Sequence, residues 1–485
     1  LCKWRMRTAA ILAFPLCTAQ MRYMNQNPFP SPYRPDPQIA SLGAQIGDPA
    51  QPANFPETIL RFRNDRWAET IGLADYDDAT WIRHFGRFEP LPGNIPVPLA
   101  LRYHGHQFRV YNPDIGDGRG FLFAQMRDGD DRLLDLGTKG SGTTPYSRRG
   151  DGRLTLKGGV REILATEMLE ALGVNTSKTF SIIETGEALM RGDEPSPTRS
   201  AVMVRLSHSH VRIGSFQRVA AEGDAEFMQQ LITYCLTQLY NVALSENPAA
   251  QLLALAVERV ADLAASYMTA GFVHGVLNTD NINITGESFD YGPWRFTEYW
   301  DPQFTAAYFD ESGLYAFGRQ AEALHWNLGQ LAVALRLVSE APPLISALER
   351  FPELYQRAII RRFLWRLGVA SLGEAEDRQL VEAAERAMSR ERIPIDRFFH
   401  YYRFGSQGAF ATPGEYQIAF TELLQKHTSV DAHRDAYWTN GRICSMLINE
   451  VEDIWQAIAE KDDWQPLNDK VSAIRAMGRA LNACS

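Results

Sequence analysis

Apolar and polar positions change rhythm along this chain, and the changes divide it. Residues 25 to 55 mix Gln and Asn with Pro28, Pro30, Pro32, Pro35 and Pro37, and read as an extended arm. From about 56 to 215 short apolar stretches alternate with Gly-rich turns. "GFLFAQMRD" (120–128) and "RLLDLGTKG" (132–140) predict a hairpin turning at Gly129-Asp130-Asp131. "TLKGGVREILATEMLEALGV" then takes helical spacing through Ile163, Met168, Leu169 and Leu172, with Gly173 as its C-terminal stop. "FSIIET" (180–185) and "SAVMVRLS" (200–207) return to strand character. Beyond 215 the pattern is helical. Asp224 is placed to N-cap a helix carrying Phe227, Leu231, Ile232, Leu236 and Leu239. A longer helix is predicted over 250–269, closed by Gly271. Amphipathic helices fill 320–400, and one more falls near 444–460. The pattern predicts an α+β chain: an N-terminal extension (1–55), a mixed α/β lobe (56–215) and a larger, mainly helical lobe (216–485).

Composition narrows the classes. The chain has 485 residues with 49 Lys+Arg against 58 Asp+Glu, a formal charge of −9, and is 45% hydrophobic. That is globular usage, with no basic stripe to suit nucleic acid or an anionic membrane, so neither is expected as a partner. Cys2, Cys17, Cys235, Cys444 and Cys484 form no CxxC pair, which leaves no zinc spacing and no disulfide framework. Lys3, Arg5 and Arg7 precede an apolar run, Ala9 to Leu16, that resembles a short signal-peptide core. The favoured reading is upstream sequence ahead of a start near Met24, and hence a cytoplasmic protein; export or organellar targeting applies only if that segment is a true leader. No other apolar stretch approaches the ~18 residues of a membrane span.

The candidate chemistry is ordered along the chain. "YNPDIGDGRG" sets Gly116, Gly118 and Gly120 around Arg119 just before a strand pair, where backbone N–H groups can turn toward an anion. Alone, such a run is more often a hairpin turn. Lys139 follows on the next strand, and Glu162 lies within the predicted helix, placed to keep a phosphate-binding ammonium charged and oriented. This is the order of a kinase small lobe. In the helical lobe, "FVHGVLNTDNINITGESFDYG" carries His274, Asp280, Asn281 and then Asp290-Tyr291-Gly292. Asn281 and Asp290 offer the hard oxygen ligands that Mg²⁺ prefers. In H-R-D-x-x-x-x-N loops the aspartate precedes the asparagine by five residues. Here that position is Val276, and the available carboxylate is Asp280, directly beside Asn281.

"YHGHQF" (103–108), "GDGRG" (116–120), "LGTKGSGTTPYSRRGDGRLTLKGGVRE" (136–162), "HGVLNTDN" (274–281), "FDYGP" (289–293) and "WNL" (326–328) resemble the selenoprotein O family. The resemblance covers roughly residues 100 to 335. It implies a protein-kinase-like, two-lobed pseudokinase fold and a protein adenylyltransferase, which moves AMP from ATP to Ser, Thr or Tyr hydroxyls of proteins, itself included. By that resemblance Gly116, Gly118 and Arg119 form the phosphate loop, Lys139 contacts phosphate and Glu162 pairs with it. Asp151 and Gly152 hold the nucleotide, and Arg205 and Arg212 add contacts. Asn281 and Asp290 bind Mg²⁺ or Mn²⁺, Asp290 also meets the nucleotide, and Asp280 is the base. The nucleotide is expected reversed relative to a kinase, which exposes the α-phosphate. Pyrophosphate then leaves, and the arginines are suited to its charge. A kinase-type phosphotransferase using Asp280, and a nucleotide-binding scaffold without chemistry, are the competing readings. The chain departs from the family where Arg319-Gln320-Ala321 replaces the usual Asn-Gln-Pro, and in its C-terminal third, which lacks an expected Asn-Pro…Leu-Arg-Asn stretch. The stretch just after Asp290 has no cysteine, so Cys484 is expected as a free thiol.

Overall fold

The computed structural model describes residues 32–192, 194–403, 412–430, 435–439 and 442–482. The basic-apolar segment at 3–16, the candidate start at Met24, and Cys2, Cys17 and Cys484 lie outside the described residues.

Ten strands fill the N-terminal half: β1 (Gly47–Pro49), β2 (Ile59–Arg63), β3 (Leu99–Leu101), β4 (Gly105–Gln107), β5 (Val110–Asn112), β6 (Leu122–Arg127), β7 (Leu133–Lys139), β8 (Leu154–Thr155), β9 (Lys178–Leu189) and β10 (Thr198–Ser207). β4 and β5 pair only with each other. The other eight form one sheet in the order β1-β3-β6-β7-β10-β9-β2, with β8 alongside β10. β6 and β7 are antiparallel neighbours, as the hairpin reading expects. Their turn is held by Asp128, whose carboxylate accepts from the N–H groups of Asp130 (3.1 Å) and Arg132 (2.9 Å). The sheet is apolar on both faces, so its central strands lack the in-out alternation of a solvated sheet. One face packs Trp81, Phe85, Phe88, Phe121, Phe123 and Phe180. The other packs helix α1 (Leu156–Ala171). Thr155 caps α1 by accepting from Gly158 N–H at 3.1 Å, and Gly173 follows its end with φ +74°.

The helical half holds α2 (Ile213–Glu222), α3 (Ala225–Tyr234), α4 (Pro248–Ala270), α5 (Gln320–Leu335) and α6 (Phe351–Leu367). Asp224 accepts from Phe227 N–H at 2.9 Å, and Gly271 closes α4 with φ +67°. α4 is buried almost all round in its second half and packs α5 and α6. A short ladder, β11 (Phe272–Val273) with β12 (Arg295–Phe296), brackets the segment that carries Asp280, Asn281 and Asp290. Among the described residues, no helix is long and apolar enough to cross a membrane.

Two expectations are corrected. The proline-rich stretch is not simply an extended arm. Residues 38–45 form two 3-10 turns broken at Gly43 (φ +61°), β1 joins the sheet, and Ile39, Leu42 and Ile46 are buried. These three apolar positions were in the sequence, but the surrounding prolines obscured them. The tail holds more than one helix. α7 (Ile448–Lys461) matches the expected one, and α8 (Gln465–Asn482) follows it. α8 lies on α1: Arg475 bonds both carboxylate oxygens of Glu167 (2.8 and 2.6 Å), and a Cβ at Gly478 would lie 3.1 Å from that of Ala171. Its buried stripe, Leu467, Val471, Ile474, Met477 and Leu481, contributes roughly 1.5–3 kcal/mol per side chain. A partly exposed ion pair contributes at most about 1 kcal/mol, so the apolar stripe seats this helix.

Candidate active site

The Gly-rich loop lies over β7. Gly140 N–H donates to the Arg119 carbonyl at 2.7 Å, and Phe121 N–H to Thr138 Oγ1 at 3.0 Å. The loop packs so closely under Tyr146 that a Cβ at Gly116 would fall 2.5 Å from that ring. The following turn also requires glycine. Gly152 has φ +69°, and a Cβ there would meet the Gly142 carbonyl carbon at 2.2 Å.

β7 delivers Lys139 to the interior, where Nζ lies 2.6 Å from Glu162 Oε1 on α1 and 2.7 Å from Asp290 Oδ1. The β7–β10 register sets Met203 opposite Lys139, so Arg205 projects from the same face. Its Nη2 lies 3.3 Å from Asp290 Oδ1. Burial opposes ionisation of Asp290, but Lys139, Arg205 and Arg119 outweigh it and hold the carboxyl well below the usual range. Arg212, just ahead of α2, donates to the Asp280 carbonyl (3.0 Å) and to Asp117 (3.3 Å), and its guanidinium lies 4.2 Å from the Tyr103 ring centroid.

Asp280 is 8% exposed, on a 3-10 turn (Thr279–Asn281), and its Oδ1 has no hydrogen-bond partner among the described residues. Burial pushes its carboxyl up to about 6; Arg212 opposes the rise, and Asp290 adds to it. Asn281 Nδ2 donates to the Val276 carbonyl at 2.9 Å, so the position of the usual kinase aspartate here anchors the asparagine. His274 Nε2 donates to the Phe289 carbonyl at 3.1 Å, which fixes the backbone just ahead of Asp290.

These groups enclose a cavity of about 580 Å³. Gly116, Gly118, Arg119, Lys139, Asp151, Gly152, Arg205, Arg212, Asp280 and Asp290 all line it. Glu162, bonded to Lys139, and the partly exposed Asn281 are not among the lining residues. Asp151 lies at the rim, ion-paired to Arg191 at 2.8 Å. Sequence reasoning missed four of the lining cations: Arg148, Arg149, Arg153 and Arg191. The first three lie in the "SRRGDGR" run, a basic cluster beside a glycine turn that was legible as an anion site. In all, eight Lys and Arg side chains face four Asp across the cavity, an excess that suits a polyphosphate.

A sheet-borne lysine paired to a helix glutamate, under a Gly-rich loop and opposite a buried Asp280 turn and an Asp-aromatic-Gly motif, defines a kinase-like nucleotide-dependent transferase. Residues 32–475 match the family model described as Protein adenylyltransferase SelO, and the chain belongs to that family. It is 43% identical to the protein nucleotidyltransferase YdiU of Synechococcus elongatus, covering 91% of this chain and 94% of the relative. Identity to the YdiU proteins of Synechocystis sp. and Trichodesmium erythraeum is 42%, covering 91% and 90% of this chain and 98% of each relative. Among solved structures, ROP2 from Toxoplasma gondii, titled a virulence factor with a protein-kinase fold and no enzymatic activity, covers 69% of this chain and 84% of its own. At 12% identity and a TM-score of 0.26, that likeness carries no weight here.

Proposed function

We propose that this protein adenylyltransferase moves AMP from ATP onto Ser, Thr or Tyr hydroxyls of proteins, itself among them, with Asp280 as base. The acceptor oxygen bonds the α-phosphorus, the bond from that phosphorus to the β-bridging oxygen breaks, and pyrophosphate leaves with the electron pair. The acceptor proton passes to Asp280. The observation that carries this reading is the excess of cations in one cavity with a buried, weakly acidic carboxylate at its wall. Lys139, Arg205, Arg212 and Arg119, with Gly116 and Gly118, would receive the phosphates, and Asp151 and Gly152 the rest of the nucleotide. Glu162 keeps Lys139 charged and aimed.

The donor set fits a hard divalent cation. Asp290 supplies an anionic oxygen, and the Asn281 amide is anchored through its nitrogen so that its oxygen remains available. Asp290 and Asn281 would hold Mg²⁺ or Mn²⁺, which supplies charge neutralisation to the phosphates. The strand-rich residues 56–215 and the helical residues 216–485 act as the two lobes around this cleft. A cytoplasmic location would supply the ATP this reading needs.

Intact mass after incubation with Mg-ATP tests the reading. A gain of one AMP on the chain or on an added protein supports it; a gain of one phosphate instead makes the enzyme a kinase, and no gain on either makes it a scaffold.

A further inference from the structure

Two of the quoted signatures, Tyr-His-Gly-His-Gln-Phe (103–108) and Trp-Asn-Leu (326–328), have no explanation in phosphate chemistry, yet both converge on the turn that carries Asp280. The β4–β5 hairpin stands apart from the main sheet and packs on Thr279–Asn281. Two strands of three residues do not hold themselves in water, so what the hairpin touches decides what it is for.

The contacts close a ring. Thr279 Oγ1 donates to Gln217 Oε1 at 2.6 Å, which orients the Gln217 amide. Its Nε2 then donates to His106 Nδ1 at 2.7 Å, so that nitrogen accepts and the imidazole proton stays on Nε2. His106 returns its backbone N–H to Thr279 Oγ1 at 2.7 Å. Thr279 is fully buried and Gln217 nearly so. Neighbouring groups extend the hold. Phe108 N–H and Tyr315 OH both donate to Asn278 Oδ1 (3.1 and 2.7 Å), and Asn327 Nδ2 donates to the Leu277 carbonyl at 2.8 Å. Trp326 sets its ring against His106, with centroids 5.3 Å apart. Gly105 lets the hairpin approach: a Cβ there would lie 3.0 Å from Asp280 Oδ1.

We propose that His106, Gln217 and Thr279 are positioning residues, a closed hydrogen-bond ring that holds the turn bearing Asp280 in the geometry that transfer requires. None of the three side chains takes part in bond making. The ring sets the carboxylate the way outer partners set a metal ligand, through a hydrogen-bonded neighbour. This rests on the reading of Asp280 as base.

The test uses the full-length chain and two readouts: ATP affinity by calorimetry, and initial rate of AMP incorporation from α-labelled ATP into β-casein and into the chain itself. Thr279→Val keeps size and loses the hydroxyl; Thr279→Ser keeps the hydroxyl. Thr279→Val and His106→Leu should lower kcat by about 10- to 100-fold with ATP affinity unchanged. Thr279→Ser should recover most of the rate, and the His106→Leu/Thr279→Val double variant should be no slower than the slower single, because members of one ring act as a unit. A wild-type kcat in Thr279→Val, an equal loss in Thr279→Ser, or a loss of ATP affinity that accounts for the rate would each overturn the proposal. Asp280→Asn separates the two levels. If it transfers AMP at full rate, the base assignment fails and this inference with it; if it is inactive while Thr279→Val is fully active, this inference alone fails.

Discussion

Lys139 and Asp290 lie 151 residues apart in the chain and 2.7 Å apart in the fold. The same ammonium reaches Glu162 at 2.6 Å, so one side chain joins β7, α1 and the turn after Phe289. Asp290 holds a left-handed backbone, φ +62°, which costs a non-glycine residue free energy. Its carboxylate is drawn in by Lys139 and Arg205 together, and that attraction offsets the strain. A strand, a helix and a loop, the last more than a hundred residues beyond the other two, are thereby registered on one ammonium.

Lys139→Ala should therefore weaken ATP binding and also destabilise the fold. Breaking a buried pair by deleting one partner costs about 3–5 kcal/mol. The lower end applies here, because Arg205 remains 3.8 Å from Glu162 and takes up part of its charge. Calorimetry with ATP and urea denaturation measure the two losses separately. An unchanged ATP affinity would remove Lys139 from the phosphate site.

Gly152→Ala should raise the KM for ATP with a small change in melting temperature. The added Cβ meets a backbone carbonyl carbon at 2.2 Å, and the positive φ adds strain, so the turn carrying Asp151 must move. Asp151 stands exposed at the cavity rim, so the displacement falls on nucleotide binding more than on Leu154, whose side chain enters the core two residues beyond Gly152. Steady-state kinetics at varied ATP, beside a thermal melt, show whether the effect divides this way.

The Asp262 carboxylate gives the fold an acid limit. It bonds Arg361 at 2.5 Å and Arg362 through both oxygens, tying α4 to α6, and Arg362 also reaches the Gly173 carbonyl at the end of α1. Burial opposes its ionisation, but the two arginines prevail and lower it from 3.8 to about 2. A carboxyl with a lowered folded pKa adds stability that is complete above the unfolded value and is lost as pH falls toward the folded one. The stability gap between wild type and Asp262→Asn should thus narrow by roughly 2 kcal/mol as pH drops from about 5 to about 2. Urea midpoints at those pH values follow it, and a gap independent of pH would contradict the assignment.

Much of the site was legible because its chemistry is ordered along the chain. A Gly-rich run, Lys139, Glu162 and then Asp280, Asn281 and Asp290 need only spacing to be read. Arg191 carried no such signal: it follows β9 and faces the cavity because β9 and β10 form a hairpin and Asp151 reaches across to it. Ile39, Leu42 and Ile46 were present in the sequence, but prolines are a louder cue than three apolar residues. α8 kept a readable stripe from Leu467 to Leu481, yet nothing local reveals that it packs on α1. That contact runs from the end of the chain back to Glu167, and only the tertiary fold supplies it.

The two aspartates of the site should separate by experiment. In the proposed metal pair Asp290 is the anionic member and Asn281 is neutral, so Asp290→Ala removes the main charge that would hold a divalent cation against phosphate. That variant also frees Lys139 and Arg205 from a carboxylate, which leaves the cavity more cationic. It should still attract ATP but transfer nothing. Asp280 differs: among the described residues its carboxylate is bonded to no cation, and burial brings it to about 6, so it is ionised at neutral pH yet basic enough to accept a proton. Asp280→Ala should bind nucleotide and metal normally and lose the ~10²–10⁴-fold that a general base provides. Transfer of label from α-labelled ATP, beside calorimetric titration with ATP and Mg²⁺, resolves the pair. Wild type should transfer no label from γ-labelled ATP, because pyrophosphate carries it away. If γ-label is transferred and α-label is not, the attack falls on the terminal phosphate and the assignment of Asp280 to adenylyl transfer is wrong.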